Sequence, residues 1–419
     1  MSALRRAGWP LALPAILLLG FLVAPFAALL ANLPGTELSA LPDATPALGT
    51  SLLAATAATL LDGLLGIPLA YLLSGRRSRK KRLAVAAVAL PLAVPPVVGG
   101  LELLLLLGRQ SPLGALLDGA GLSPIDSLAG TVLAQAFVAA PFIVIAARAA
   151  FDGVDPQIGD AARVLGCGPA AAFFRAVLPA ARAGVVAGLL LGWLRCLGEF
   201  GATAVLAYHP YTLPTLTYVD LSGSGLSSAL PAGALLALTG VVAAGLMLWL
   251  EARGAAAEGA QEPDRGPLPA AARLDWIPDA RPAELRIRAV SRLGGFQLDV
   301  DLSLEAGAIA ILGPSGAGKS LTLRTVAGLF RPHLGAVRQG ERVLLDTGAG
   351  VDVPAERRAV GYLGQRDGLF PHLDVEGNVG FGLRGIPGAE RERRVGELLA
   401  ATGLEHRRHS WRATLSGGE

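Results

Sequence analysis

Cysteine is almost missing from this 419-residue chain: Cys167 and Cys196 are the only two, and Cys196 falls inside an apolar run. The pair suggests neither a disulfide framework nor a metal site. Five scattered histidines add no ligand pattern, and His406 with His409 fits a solvated helix face. Lysine is scarcer still for its type, since the 36 basic residues include only Lys80, Lys81 and Lys319, with arginine supplying the rest. Aromatic residues make up 5% and charged residues 16% of the chain. A net charge of +3 does not argue for a nucleic-acid partner, because the densest basic cluster, GRRSRKKR at 75–82, lies between two apolar runs where a membrane is the simpler explanation. What is abundant is hydrophobicity, at 52% of residues. Nearly all of the long apolar runs precede residue 251, and the remainder reads as an ordinary soluble sequence.

Six apolar stretches, near 11–31, 49–74, 83–107, 128–150, 181–206 and 226–250, are long enough to cross a hydrocarbon core of ~30 Å, which takes about 20 helical residues. The first follows Arg5 and Arg6 and could be a secretory signal, but its apolar run exceeds a normal signal core, so a retained helix is expected. The loop at 75–82 carries six basic residues, whereas 32–48 and 207–225 carry none. Positive loops stay inside. This predicts a multi-pass protein of the cytoplasmic membrane, in contact with lipid, with both termini and the loops 75–82 and 151–180 in the cytoplasm. Pro91, Pro95 and Pro96 interrupt the third stretch, and such breaks survive in a membrane only where protein or a water-filled path satisfies the freed carbonyls. A position lining a solute pathway and a kinked structural helix both fit. In the fifth stretch Arg195 and Glu199 stand four apart on one helical face, and a local ion pair is the simpler reading than a pathway role.

One of the three lysines is the seventh residue of the octet GPSGAGKS, residues 313–320, which fits the phosphate-binding pattern GxxxxGK[ST]. The apolar run GAIAIL before it predicts a buried strand, and LTLRTVAGL after it has helical spacing. Gly313, Gly316 and Gly318 let the loop through Pro314, Ser315 and Ala317 bend so that its N–H groups, which Pro314 alone lacks, face phosphate oxygens at a helix N-terminus. Lys319 would reach the β/γ-phosphates of ATP, and Ser320 would ligate Mg²⁺. Upstream, ELRIRAV and FQLDVDLSL alternate as strands. Residues 251–282, rich in Ala, Pro, Gly and charge, read as a linker between a membrane domain at 1–250 and a soluble domain at 283–419.

The loop at 151–180 reads as two short helices. Asp155 is a good N-cap with Pro156 at the first helical position, and Gly166 ends the first helix. Pro169 opens the second and Pro179 stops it. Here a family resemblance becomes specific. Asp160, Ala161, Ala162, Gly166, Leu178 and Pro179 resemble the EAA coupling loop of ATP-binding-cassette importers, with Asp for the usual Glu and Ala176 where Ile is common. In the soluble part, Gln365 of GYLGQ resembles the Q-loop glutamine that senses Mg²⁺, and LFPHLDVEGNVGFGL resembles the entry to the helical subdomain of cassette ATPases. Leu415, Ser416, Gly417, Gly418 and Glu419 are similar to the LSGGQ signature.

The resemblance implies a six-helix membrane domain followed by an α/β P-loop ATPase domain. It further implies ATP held by residues 313–320, the backbone of Leu321 and Gln365, closed in trans by the signature of a second chain, hence a homodimer. Mg²⁺ would be shared by Ser320 and Gln365. No aromatic is well placed as an adenine platform, Phe296 being a weak candidate by spacing. The family's acidic strand, with its Mg²⁺-ligating Asp and catalytic Glu, and its switch His would follow residue 419, so the ATPase domain is expected to be truncated here, with no catalytic residue present. LPLAVPPVVGG, DGVDPQIGDAARVLG, FFRAVLP and LGEFGAT look like the permease of molybdate importers, and the soluble part resembles their ATPase. Import of molybdate or tungstate, delivered by an extracytoplasmic binding protein, is the implied function. A sulfate or thiosulfate importer is the near alternative, and an ATP-binding membrane sensor or assembly subunit without turnover the alternative of another class.

Overall fold

A computed structural model describes residues 9–33, 41–75, 78–256, 283–305, 307–365 and 368–415. The expected linker beyond Ala256 and the signature residues Ser416, Gly417, Gly418 and Glu419 lie outside the described residues. The chain forms two compact units: Met1–Asp152 with Ala183–Gly254, and Gly153–Arg182 with Ala255–Glu419.

The first unit is helical. Its elements are α1 (Trp9–Asn32), α2 (Leu41–Leu73), α3 (Arg79–Ala93), α4 (Pro96–Leu107), α5 (Pro112–Gly119) and α6 (Leu128–Asp152). The loop contributing to the second unit holds α7 (Pro156–Val164) and α8 (Pro169–Ala180), after which come α9 (Arg182–Leu197), α10 (Gly201–Leu206), α11 (Leu213–Gly223) and α12 (Leu226–Ala256). Four of these helices are long and apolar enough to cross a membrane, and six spans result if each bent pair is one. Two of the expected spans are interrupted. The stretch at 83–107 is α3 and α4 meeting at 110°, because Pro95 and Pro96 deny the helix two backbone donors where α4 begins. The stretch at 181–206 breaks between Leu197 and Gly201. Glu199 sits in that break, its Oε1 accepting from the Ala202 N–H at 2.8 Å while its Oε2 pairs with Arg195 at 2.6 Å. The ion pair read from spacing therefore also caps a helix.

Small residues bring the helices of this unit together, as they do wherever lipid offers no hydrophobic contrast. Ala55 and Ala58 of α2 are fully buried against α6 and α9. A Cβ on Gly192 would lie 2.4 Å from Ile143 Cγ1, and one on Gly66 3.0 Å from Val144 Cγ2.

In the second unit, β1 (Leu285–Leu293) and β2 (Phe296–Leu304) precede α13 (Lys319–Val326), followed by β3 (Leu334–Gln339), β4 (Arg342–Asp346) and β5 (Val351–Asp352). The sheet order is β2-β1-β3-β4-β5, antiparallel throughout. Ile287, Val337, Leu344 and Leu345 bury one face against Val326 of α13. The unit closes with α14 (Val375–Val379) and α15 (Gly388–Thr402). The buried strand expected at 307–312 is not formed: the run has no regular structure and is largely exposed, with Leu312 at 90%. A strand exists only by sharing its N–H and C=O groups with a neighbour, and no ladder partner lies beside this run among the described residues.

Candidate functional site

The phosphate-binding octet follows this run and enters α13 at Lys319. Gly316 and Gly318 have φ of +83° and +91°, which side-chain-bearing residues rarely adopt. Gly318 is further confined, since a Cβ there would lie 2.7 Å from Leu298 Cδ1 and 3.2 Å from Phe296 Cζ. Phe296, the weak candidate for an adenine platform, thus packs beneath the loop. Residues 312–317 are exposed, so their backbone is open to a ligand. Lys319 Nζ donates to Gly313 O at 2.6 Å and Pro314 O at 2.7 Å, which holds the ammonium against the loop. Ser320 stands in the first turn of α13 and Leu321 follows it. A cavity of about 810 Å³ beside Lys319 and Ser320 is walled by Ile309, Ile311, Leu323 and Val360. Exposed glycine-shaped backbone, one ammonium and a hydroxyl at a helix N-terminus fit the phosphates and Mg²⁺ of a nucleotide. Gln365 is exposed at the end of the described run 307–365, and Leu415 packs beside the small core of Val375, Val395 and Leu399.

Behind the loop, Arg358 ties the C-terminus of α13 to the sheet. Only 1% exposed, it donates to Thr325 O at 2.7 Å, Val326 O at 2.9 Å and Val353 O at 2.6 Å, and pairs with Asp352 at 3.1 Å. It thereby satisfies carbonyls that a helix end leaves open. The next residue, Ala359, has φ +53° and turns the chain toward Gln365.

The loop at 153–182 packs on this same unit. Asp155 caps α7, its Oδ1 accepting from the Gln157 N–H at 3.0 Å, with Pro156 in the first turn. Gly166, at φ +92°, ends α7. The second helix ends at Ala180, one residue past Pro179. Ile158, Ala162, Cys167, Ala172 and Ala176 form one core with Phe370 and Phe381, whose rings stack at 3.8 Å. Ala162 is fully buried and Ala161 packs at the edge of this core. Gly166 does not join it, since a Cβ there would meet nothing within 4 Å. Asp160 Oδ2 lies 2.8 Å from Arg324 of α13. Burial holds the Asp160 carboxyl above its usual range although Arg324 pulls the other way.

Of the residues read from sequence, the structure therefore joins the phosphate-binding helix to the paired-helix loop through Asp160. Arg324, Phe370, Phe381 and Arg358 were not singled out. Arg324 carried a readable signal, lying on the helix that follows the octet; a buried arginine such as Arg358 shows no pattern until its partners are seen. In the helical unit, Asp62 and Gln135 are buried at 7% and 1% exposure, and the Asp62 Oδ2 and both Gln135 amide atoms have no hydrogen-bond partner.

Residues 62–254 match the family described as the inner membrane component of binding-protein-dependent transport systems, and residues 298–419 match the ABC transporter family. A probable molybdenum ABC transporter permease protein of Haloferax volcanii is 44% identical over 199 residues, 47% of this chain and 71% of that protein. The molybdenum import ATP-binding protein of Paramagnetospirillum magneticum is 44% identical over 128 residues, 30% of this chain and 35% of that protein. The molybdate/tungstate import ATP-binding protein of Archaeoglobus fulgidus is 42% identical over 138 residues, 32% of this chain and 54% of that protein. The chain thus spans about a third to a half of these ATP-binding relatives. With a helical part matched across most of a permease and a phosphate-binding loop matched within cassette ATPases, the chain belongs to the ABC importers as a permease fused to ATPase sequence.

Proposed function

We propose that this chain imports a tetrahedral oxyanion, molybdate or tungstate, across the cytoplasmic membrane at the expense of ATP. The observation that carries the transport reading is the packing of the loop 153–182 on the phosphate-binding unit, with Asp160 paired to Arg324 on the very helix that Lys319 opens. A movement of that helix on nucleotide binding is felt at Asp160 and passed through α8 to the helix that follows it in the chain. This favours a transporter over a sensor, which needs no such link. The oxyanion comes from the relatives, whose names specify molybdenum, molybdate or tungstate; sulfate finds no support there.

In this reading residues 1–250 are the permease, 251–282 a linker and 283–419 the cassette, which lies in the cytoplasm with the N-terminus. Residues 313–321 and Gln365 bind ATP, whose hydrolysis supplies the driving force. Lys319 neutralises phosphate charge, Ser320 and Gln365 hold Mg²⁺, and Leu415, Ser416, Gly417, Gly418 and Glu419 close the site of a second copy. A binding protein outside delivers the anion. The test is uptake by the complete transporter in liposomes with its binding protein and internal ATP. Uptake of molybdate or tungstate, resisted by a large excess of sulfate and lowered at least several-fold by Asp160→Ala, is expected. Sulfate uptake of equal rate sinks the substrate assignment, and full uptake by Asp160→Ala sinks the coupling.

A further inference from the structure

Within α8 the segment Phe173–Val177 is a π-type turn, a rare departure that tends to mark functional positions. In a regular α-helix the carbonyl of Arg175 would be closed by the N–H four residues on. That residue is Pro179, which has no N–H. His372 lies opposite, on the segment that carries Phe370 and Phe381, with its Nε2 2.9 Å from Arg175 O. A carbonyl only accepts, so the imidazole proton is on Nε2 and Nδ1 is left as an acceptor. Nδ1 is enclosed and finds no donor. Leaving such a group unpaired costs about 1–3 kcal/mol. The arrangement is therefore one that the Nε2 contact must outweigh, and the ring is kept in place beside Phe370, 6.1 Å between centroids.

We propose that Pro179 and His372 work as a pair: the proline frees a main-chain carbonyl in the middle of a helix, and the histidine of the cassette segment takes it as a latch. His372 is then a positioning residue for the transmission between nucleotide site and permease, which rests on the transport reading above. The Asp160–Arg324 pair anchors α7, and the latch anchors α8, so both helices of the loop move with the cassette. Residue type matters at each end. An alanine at 179 restores an internal donor for Arg175 O, and a leucine at 372 fills the space without donating.

The test is amide hydrogen exchange over residues 169–182 in the full-length protein in lipid nanodiscs, which needs neither ATP nor oxyanion. His372→Leu is expected to speed exchange roughly fivefold to tenfold, the size of one net hydrogen bond. His372→Gln, whose amide can still donate, is expected to restore most of the protection. In the Pro179→Ala background, where the helix supplies its own donor, the effect of His372→Leu should shrink below about twofold, since only coupled residues deviate from additivity. An equal effect of His372→Leu in both backgrounds, or none in either, overturns the latch. In liposomes, His372→Leu should lower oxyanion uptake per ATP hydrolysed several-fold while nucleotide binding is retained. An unchanged ratio overturns the positioning role. If the unsubstituted protein takes up no oxyanion at all, the functional reading fails, and the exchange data still decide the latch.

Discussion

At the scale of single residues, Lys319 and His372 show how a neighbour's chemistry sets what a side chain can do. Lys319 is held by two loop carbonyls, and no second ammonium is available in the octet, so Lys319→Ala is expected to remove high-affinity nucleotide binding, a loss of at least tenfold readable with a fluorescent ATP analogue. Unchanged affinity would contradict the role given to the octet. His372 is sensitive to acid. Burial, and the positive charges of Arg182 and Arg384, hold its imidazole below the usual 6.5 despite the bond to Arg175 O. A base whose pKa is depressed in the folded state adds stability that is present above 6.5 and declines as the pH falls through that value toward the folded pKa. Protection of residues 169–182, corrected for intrinsic exchange, should therefore fall between pH 7.5 and 5.5, and the fall should be absent in His372→Gln.

At the scale of elements, much of the second unit was legible because its signals are local. Alternation gave β1 and β2, the octet placed the start of α13, and Asp155 with Pro156 marked α7. What failed depends on distant partners. The run at 307–312 has the composition of a strand, but pairing, not composition, makes one. The break at Glu199 was hidden because an i, i+4 ion pair looks like helix reinforcement until Oε1 is seen to cap α10. The small residues of the paired-helix loop also divide by cause. Ala162 is small because a core surrounds it, whereas Gly166 is glycine for its backbone. Gly166→Ala should thus cost only about 1–2 kcal/mol, from its left-handed conformation. Gly318→Ala adds a clash with Leu298 and Phe296 to similar strain and should abolish nucleotide binding. A thermal scan with a nucleotide titration separates the two. Equal behaviour of both variants would contradict this division.

At the scale of the whole molecule, the proposed function, with one phosphate-binding loop and one signature-like segment per chain, requires two copies acting together. Both native cysteines are buried, so thiols placed at the surface will report with little background. Ser315→Cys with Ser416→Cys is expected to give an ATP-dependent crosslink between chains in the assembled transporter, seen as a species of twice the mass. A product confined within single chains would exclude the paired arrangement.

The loop that binds the cassette is made long before the cassette exists. Arg175 and His372 are 197 residues apart in the chain. At a synthesis rate of roughly 5–20 residues per second, about 10–40 s separate the emergence of the two. During that interval Ile158, Ala162 and Ala176 have no Phe370 or Phe381 to cover them, so the order of synthesis makes this loop a client for chaperones and a site of early proteolysis whenever translation is slowed before residue 370.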